Sequence, residues 1–160
     1  MNRRTSPVND HERLLLETLE QERAATLPKV SLGRYTGIAD YLLREAQFFD
    51  APHRTDDDPI ALPGYCYVNA YRFARNSKGD LRYAEGYALA HSGMPHLPAW
   101  CVDLADRVVD SIWHGGSKSA IGLAYLGNVF ELDHVAKVRR GPIKSPSVIN
   151  DWRRGFPLFK

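Results

Sequence analysis

The stretch YCYVNAYRFARN, residues 65–76, decides the fold that the sequence predicts. Apolar and small residues recur in it at positions 66, 69, 70 and 73, which is the spacing of one helical face. Polar residues and a glycine at 76–79 end the pattern. The stretch therefore predicts a short helix that begins near Cys66.

Strand patterns follow this helix. Four segments are short, rich in aromatic and β-branched residues, and bounded by Gly, Pro, Asp or Ser: residues 82–90, 99–103, 107–113 and 124–130. The DLADR link at 103–107 predicts a tight hairpin turn. Together these segments predict an antiparallel sheet of about four strands.

Two helical patterns precede the cysteine helix. In the first, Asn9 or Asp10 can cap the start, apolar residues recur at 15, 16 and 19, and Pro28 ends the pattern. The second pattern runs from about Thr36 to Phe49 and ends before a loop at 50–59 that is rich in Pro and Asp. The sequence therefore places its first helices ahead of the sheet.

The C-terminal segment is basic, with seven Lys or Arg residues and one acidic residue between positions 137 and 160. Residues 145–156, SPSVINDWRRGF, predict a short helix capped by Ser145 or Ser147 and followed by an extended tail.

Helices followed by antiparallel strands define an α+β fold. We expect N-terminal helices, then a cysteine-bearing helix packed on the antiparallel sheet.

Length and composition limit the possible classes. The 160 residues suit one domain, with a helical part at 1–50, a core at 60–130 and the basic segment at 131–160. No apolar run approaches the roughly 18 residues of a membrane span, and the N-terminus lacks the apolar core of a signal peptide. We therefore expect a cytoplasmic protein without a membrane partner. The net charge of +2 makes nucleic acid an unlikely ligand despite the basic segment.

A cysteine at the start of a helix is chemically distinctive, because the positive end of the helix dipole favours the thiolate. Cys66 has this position. A nucleophilic thiolate also needs a base and a group that orients the base, for which His91, His96 and Asp110 are candidates. Cys101 is expected to be a packed residue. No zinc-ligand spacing or phosphate-binding loop is present, so we expect no metal and no other cofactor.

Four short motifs occur in order along the predicted core: CYVNA at 66–70, EGYA at 85–88, PAW at 98–100 and VDSIW at 109–113. This series resembles the core of the transglutaminase-like branch of the papain-like cysteine hydrolase superfamily. It is most similar to a group of small bacterial and phage proteins with the motifs Cys-x-x-Asn-Ala, Glu-Gly-Tyr-Ala, His-Ala-Trp and Val-Asp-x-x-Trp. The resemblance covers about residues 62–130.

The resemblance implies amide hydrolysis or acyl transfer on a peptide or small amide. Cys66 would be the nucleophile, His96 the base and acid, and Asp110 the residue that orients the histidine. The chain departs from the series at Pro98, where the similar proteins have their catalytic histidine. His96 lies two residues upstream, on the same face of a strand as position 98, and is the residue expected to replace it.

Further residues of these motifs are candidates for the substrate site: Tyr65, Asn69, Tyr87, Trp100 and Trp113. Each of them also has a structural interpretation, because asparagine can tie a helix to a strand and buried aromatic residues build cores. Pro98 leaves a second interpretation open. The chain would then be a catalytically inactive member of the same fold that acts as a protein-binding module, for example as a phage or host-interaction protein.

Overall fold

The structure is a computed structural model that describes residues 3–26, 33–51, 65–109, 122–140, 147–151 and 156–160. The helices in these ranges are α1 (Asp10–Ala25), α2 (Ile38–Glu45), α3 (Cys66–Asn76) and α4 (Leu132–Arg140), with a 3-10 turn at Pro157–Phe159. The strands are β1 (Gln47–Phe49), β2 (Arg82–Leu89), β3 (Pro95–His96), β4 (Ala99–Val102), β5 (Val108–Val109) and β6 (Ala124–Phe130).

The strands form one antiparallel sheet in the order β1-β6-β2-β4-β5, and β3 pairs with β2 beyond the end of β4. The sheet curls until its two edges meet. The N–H of Asp50 donates to the carbonyl of Asp106 (3.3 Å), and the N–H of Val108 donates to the carbonyl of Asp50 (3.0 Å). The expected α+β fold is therefore confirmed, with α3 packed on the sheet as predicted.

The two faces of the sheet have different partners, because successive side chains of a strand alternate. On the helix-covered face, Tyr83 and Cys101 pack against α3 and α4, while Leu89 and Leu126 pack against α1 and α2. The inner face of the curled sheet carries a separate apolar cluster. Its buried members are Phe49, Ala84, Ala88, Trp100, Val102, Val108 and Tyr125.

Most of the predicted elements are confirmed. The Asn9 side chain caps α1 by accepting a hydrogen bond from the N–H of Glu12 (2.9 Å), and α3 begins at Cys66 as expected. The strands predicted at 82–90, 99–103 and 124–130 are present, and 103–107 connects β4 to β5 in a hairpin. Of the strand expected at 107–113, β5 is described and residues 110–113 lie outside the described ranges.

The helix predicted from Thr36 to Phe49 is wrong in its second half. It ends at Glu45, and Gln47–Phe49 form β1 instead. Phe48 pairs with Leu126 of β6, and Phe49 pairs with Tyr125. Aromatic residues suit a half-buried strand, and pairing with the long strand β6 outweighs the helical spacing of the local sequence.

The helix predicted at 145–156 is not found in its described part. Residues 147–151 form a turn, in which Ser147 Oγ accepts a hydrogen bond from the N–H of Asn150 (2.9 Å). The N–H groups of Val148 and Ile149 donate to a side chain of β2 instead of starting a helix. The expected extended tail is also wrong, because Pro157–Phe159 form a 3-10 turn.

Helix α4 and strands β1 and β3 were not predicted, so the sheet contains more strands than the four expected. The sequence did carry a signal for α4. An acidic residue, Asp133, occupies its first turn, basic residues end it, and Val135 and Val138 are buried three positions apart.

Two glycines set how closely the central strands approach. Gly86 of β2 lies directly opposite Gly127 of β6. A Cβ atom at Gly86 would lie 2.1 Å from the carbonyl oxygen of Leu126 and 2.4 Å from the Cα of Gly127. The obstacle is backbone on both sides, so no side-chain movement could relieve it.

We expect Gly86→Ala to lower the free energy of unfolding by about 3 kcal/mol, because overpacking against backbone forces the strands apart. Urea denaturation followed by circular dichroism measures the change. Gly37→Ala is the matched control, since a Cβ there has its nearest neighbour at 3.9 Å; because Gly37 is the N-cap of α2, the loss of stability there should be up to about 1 kcal/mol. Equal stabilities of the two variants would contradict the close approach.

Candidate functional site

Cys66 is the first residue of α3 and is half-buried. The preceding residue, Tyr65, is the N-cap and provides no side-chain hydrogen bond to the helix, so no carboxylate or hydroxyl of the cap offsets the helix dipole. The N–H of Asn69 donates to the carbonyl of Tyr65 (2.9 Å) and closes the first turn. Cys66 therefore lies at the positive end of the helix dipole, in the first turn of α3.

Tyr67 fixes the start of α3 against the sheet. Its hydroxyl donates to the carbonyl of Leu97 (2.5 Å), which lies between β3 and β4. One turn further, Cys101 Sγ donates to the carbonyl of Ala70 (3.2 Å). Helix α3 therefore runs alongside β4, and its Cys66 end lies at the break between β3 and β4.

Helix α4 supports the same turn of α3. Arg139 Nη1 donates to the carbonyl of Tyr67 (2.9 Å), and the guanidinium lies over the ring of Tyr71, 5.0 Å from its centroid. This arginine belongs to the basic C-terminal segment. At least this residue of the segment is thus used to position α3 and is not an exposed charge for a partner.

A buried carboxylate lies under this turn. Glu85 of β2 has no solvent-exposed surface. It accepts hydrogen bonds from the hydroxyls of Tyr83 (2.5 Å) and Ser147 (2.7 Å) and from the N–H groups of Val148 (2.8 Å) and Ile149 (3.0 Å). Both carboxylate oxygens are thereby satisfied, and the C-terminal segment is bound to the centre of the sheet.

Burial has the largest effect on ionisation in this cluster. It raises the pKa of Glu85, against the lowering effect of the hydroxyl and N–H donors. Among the described residues no cation forms an ion pair with Glu85. Burial also raises the pKa of Tyr83 and of Tyr67, and the nearby Glu85 adds to both effects. Ser147 lies within hydrogen-bond reach of Tyr67 and so connects Glu85 to the start of α3.

Of the candidate substrate-site residues, Tyr65 and Tyr87 lie near the start of α3. Tyr65 is 59% exposed beside Cys66. Tyr87 is half-buried on the helix-covered face, where its hydroxyl donates to Glu22 of α1 (3.0 Å). Asn69 is buried within α3.

Trp100 lies elsewhere. It is buried on the inner face of the curled sheet, in edge contact with the rings of Phe49 and Tyr125. Its structural interpretation, as a core residue, fits these contacts. Cys101 is buried on the opposite face against α3, as a packed residue, in agreement with the prediction.

His96 is exposed on β3, where it pairs with Ala88 of β2. The register of β3 continues that of β4, in which Ala84 pairs with Trp100. Residues paired across an antiparallel sheet project to the same face. By register His96 therefore belongs to the face of Ala88 and Trp100, whereas α3 packs on the other face.

Of the remaining predicted site residues, the structure describes His91 and Pro98. Asp110 and Trp113 lie outside the described ranges, and their roles stay predictions. His91 is exposed in the turn after β2. Pro98 is buried.

Sequence reasoning missed the buried polar cluster of Tyr67, Tyr83, Glu85 and Ser147. A signal for it existed, because Glu85 interrupts the otherwise apolar pattern of a predicted strand. A buried carboxylate in such a place needs several donors. Apart from the Tyr83 hydroxyl, those donors come from residues 147–149, more than sixty positions away, and no local pattern predicts that contact.

Within the described ranges, no group of three or more His, Cys, Asp or Glu side chains is arranged to hold a metal ion. No helix in those same ranges is both long enough and apolar enough to span a membrane. Comparison with protein-family models, with curated proteins and with solved structures found no match to this chain.

We expect Glu85→Gln to lower the free energy of unfolding by about 2 kcal/mol, because the amide N–H₂ group would face backbone donors. The difference from the wild type should depend on pH. A raised folded-state pKa stabilises the folded state most below the ordinary carboxyl pKa, and this contribution is lost as pH rises through the raised value. The stability advantage of the wild type should therefore shrink between acid and neutral pH. Denaturant titrations of both proteins across that range test this, and a constant difference would contradict it.

Proposed function

We propose that the protein is a cysteine-dependent amide hydrolase or acyl transferase in which Cys66 is the thiol nucleophile. The observation that supports the proposal best is the hydrogen bond from Tyr67 to Leu97. It holds the half-buried start of α3 beside the segment HLPAW, residues 96–100, which contains the candidate base. The expected substrate is a peptide or a small amide, and the expected site of action is the cytoplasm, where thiols stay reduced.

The proposed reaction has two steps. The Cys66 thiolate attacks the amide carbonyl carbon, and the C–N bond breaks to leave a thioester while the amine takes a proton from His96. Water or a second amine, deprotonated by His96, then attacks the thioester and releases the thiol. Backbone N–H groups at the start of α3 would stabilise the oxyanion, and Asp110 would orient the imidazole.

A second candidate function is supported by the register of β3. Because His96 pairs with Ala88, it belongs to the sheet face opposite α3, and Pro98 cannot act as a base. In this alternative the fold binds a protein partner without catalysis. The exposed Tyr65 beside Cys66 would then be a contact residue instead of part of a substrate site.

Thiol labelling separates the two functions. We expect Cys66 to react with iodoacetamide with a labelling pKa clearly below the ordinary value of about 8.5, and we expect His96→Ala to raise that pKa. Both proteins should carry Cys101→Ser, which leaves one thiol and keeps a donor for the carbonyl of Ala70. Labelling rates measured by mass spectrometry from pH 5 to 10 give the values.

His91→Ala is the matched control, because His91 is also exposed and lies five residues away in the turn that precedes β3. It should leave the labelling pKa unchanged. A Cys66 thiol that reacts at the ordinary pKa, or whose reactivity is indifferent to His96, would argue against the hydrolase. Such a result would favour the second function, protein binding without catalysis.

The anchoring role of Tyr67 gives a further prediction. Tyr67→Phe removes the hydroxyl that bonds to Leu97, so the start of α3 should be held less firmly and the labelling of Cys66 should lose part of its dependence on His96. Thermal stability should fall only slightly, since one hydrogen bond contributes about 1 kcal/mol. Tyr71→Phe is the control, and an identical labelling profile in both variants would contradict the anchoring role.

A further inference from the structure

The exposed surface of helices α3 and α4 is basic. Arg72 and Arg75 are exposed on α3, which contains no acidic residue, and Lys137 and Arg140 are exposed on α4. In each helix the two cations lie three positions apart, so they are neighbours on one face. The small net charge of the whole chain, +2, thus accompanies a local concentration of positive charge on these two helices.

The arginines of this surface differ from the other arginines in their ion pairs. In the described ranges, every arginine outside α3 and α4 forms an ion pair with a carboxylate. Within the same ranges, none of the four arginines of α3 and α4 does so. Arg139 is engaged inside the fold, by its contacts with Tyr67 and Tyr71. The guanidinium donors of Arg72, Arg75 and Arg140 are therefore available to a ligand outside the chain.

The contact between the helices joins the two pairs of cations into one surface. Both helices cover the same buried apolar cluster. Arg139 is the residue before the last of α4, and it donates to the carbonyl of Tyr67 in the first turn of α3 (2.9 Å). The end of α4 therefore lies beside the start of α3. Asp133, the one acidic residue of the two helices, is in the first turn of α4, at the opposite end of that helix.

An exposed aromatic side chain adjoins this junction. Tyr65 is the N-cap of α3, and its side chain is largely exposed. Arg72 follows it by seven positions, which is about two helical turns, so both lie on the same side of α3. The positive end of the α3 dipole is at this position as well. Proteins bind single-stranded nucleic acids by stacking bases on aromatic rings beside a basic surface.

The dimensions of the surface favour a nucleic acid over other anionic partners. The 11 residues of α3 span about 16 Å. A nucleic acid strand with one phosphate per about 3.4 Å presents about five phosphates to that length, and arginine binds phosphate through paired donors. Helices that lie on a membrane need large apolar residues on the exposed face, and the exposed large apolar residues of the described ranges include none in α3 or α4.

We propose that the basic surface of α3 and α4 binds single-stranded nucleic acid. Arg72, Arg75, Lys137 and Arg140 contact phosphates, and a base stacks on the ring of Tyr65. The binding is independent of base sequence, because phosphates and the faces of bases carry little sequence information. The expectation against nucleic acid rested on the net charge of the chain, whereas this surface depends on local charge. The proposal does not depend on catalysis by Cys66.

Fluorescence anisotropy of labelled oligomers, titrated with the full chain, tests the proposal. The probes are decauridylate, decathymidylate and decaglutamate, which carry similar negative charge. We expect both single strands to bind with a dissociation constant on the order of 10 µM at low salt. With four phosphate contacts, their affinity should fall about fiftyfold between about 50 and 200 mM salt. Equal affinity for decaglutamate would identify an acidic protein as the partner and overturn the proposal, and so would a lack of binding to both single strands.

Two double variants with the same change of charge locate the binding. Arg72→Gln combined with Arg140→Gln should weaken the binding of decauridylate about tenfold and reduce its salt dependence by about half. Arg13→Gln combined with Arg23→Gln, on α1, is the matched control and should change the affinity less than about twofold. All four side chains are exposed, so both proteins should fold. Equal losses of affinity in the two proteins would overturn the proposal.

The stacking contact has a separate signature. Tyr65→Ala should weaken the binding of decauridylate about tenfold, because a base loses its aromatic partner. It should leave the salt dependence unchanged, since stacking releases no counterions. The measurement is the same anisotropy titration, repeated over the range of salt concentration. An unchanged affinity of the Tyr65→Ala protein would show that the surface binds charge alone, against the proposed single-stranded ligand.

Discussion

The carboxylate of Glu85 connects three parts of the chain that are far apart in sequence. It projects from the central strand, binds the backbone of the C-terminal segment at Val148 and Ile149, and reaches the start of α3 through Ser147 and Tyr67. A fully buried charge is tolerated only where donors replace water, and here hydroxyl and N–H groups do so. The C-terminal segment is therefore needed for the core, and the position of the cysteine helix depends on it.

The register of the sheet distributes the side chains of the motifs over two faces. The glycine pair at 86 and 127 brings β2 and β6 together, and the alternation of every neighbouring strand follows from that pairing. One face meets the helices and carries the buried carboxylate. The other lines the inside of the curled sheet and carries Trp100. Neighbouring residues of one strand thus pack in different clusters: Cys101 packs against α3, and Trp100 packs inside the curled sheet.

The sequence allowed the helix at Cys66, the capped N-terminal helix and the long strands to be predicted, because each is determined by local spacing and turn residues. It misassigned Gln47–Phe49, since these residues become a strand only by pairing with β6. It also missed the role of Glu85, because three of its four donor groups, in Ser147, Val148 and Ile149, lie more than sixty residues away. Of the candidate site, the placement of Cys66 could be predicted, whereas the faces on which His96 and Trp100 lie depend on the register of the folded sheet.

The break at Pro98 is the feature on which the two proposed functions differ. Pro98 has no backbone N–H and cannot donate a hydrogen bond to a neighbouring strand. The residue before it, Leu97, accepts a hydrogen bond from the hydroxyl of Tyr67 through its carbonyl. Pro98 thus adjoins the bond that anchors the cysteine helix. His96 lies on the two-residue strand β3, beyond the end of β4. In the proposed hydrolase, proton transfer from Cys66 would therefore depend on the geometry of this break as well as on the types of residue present.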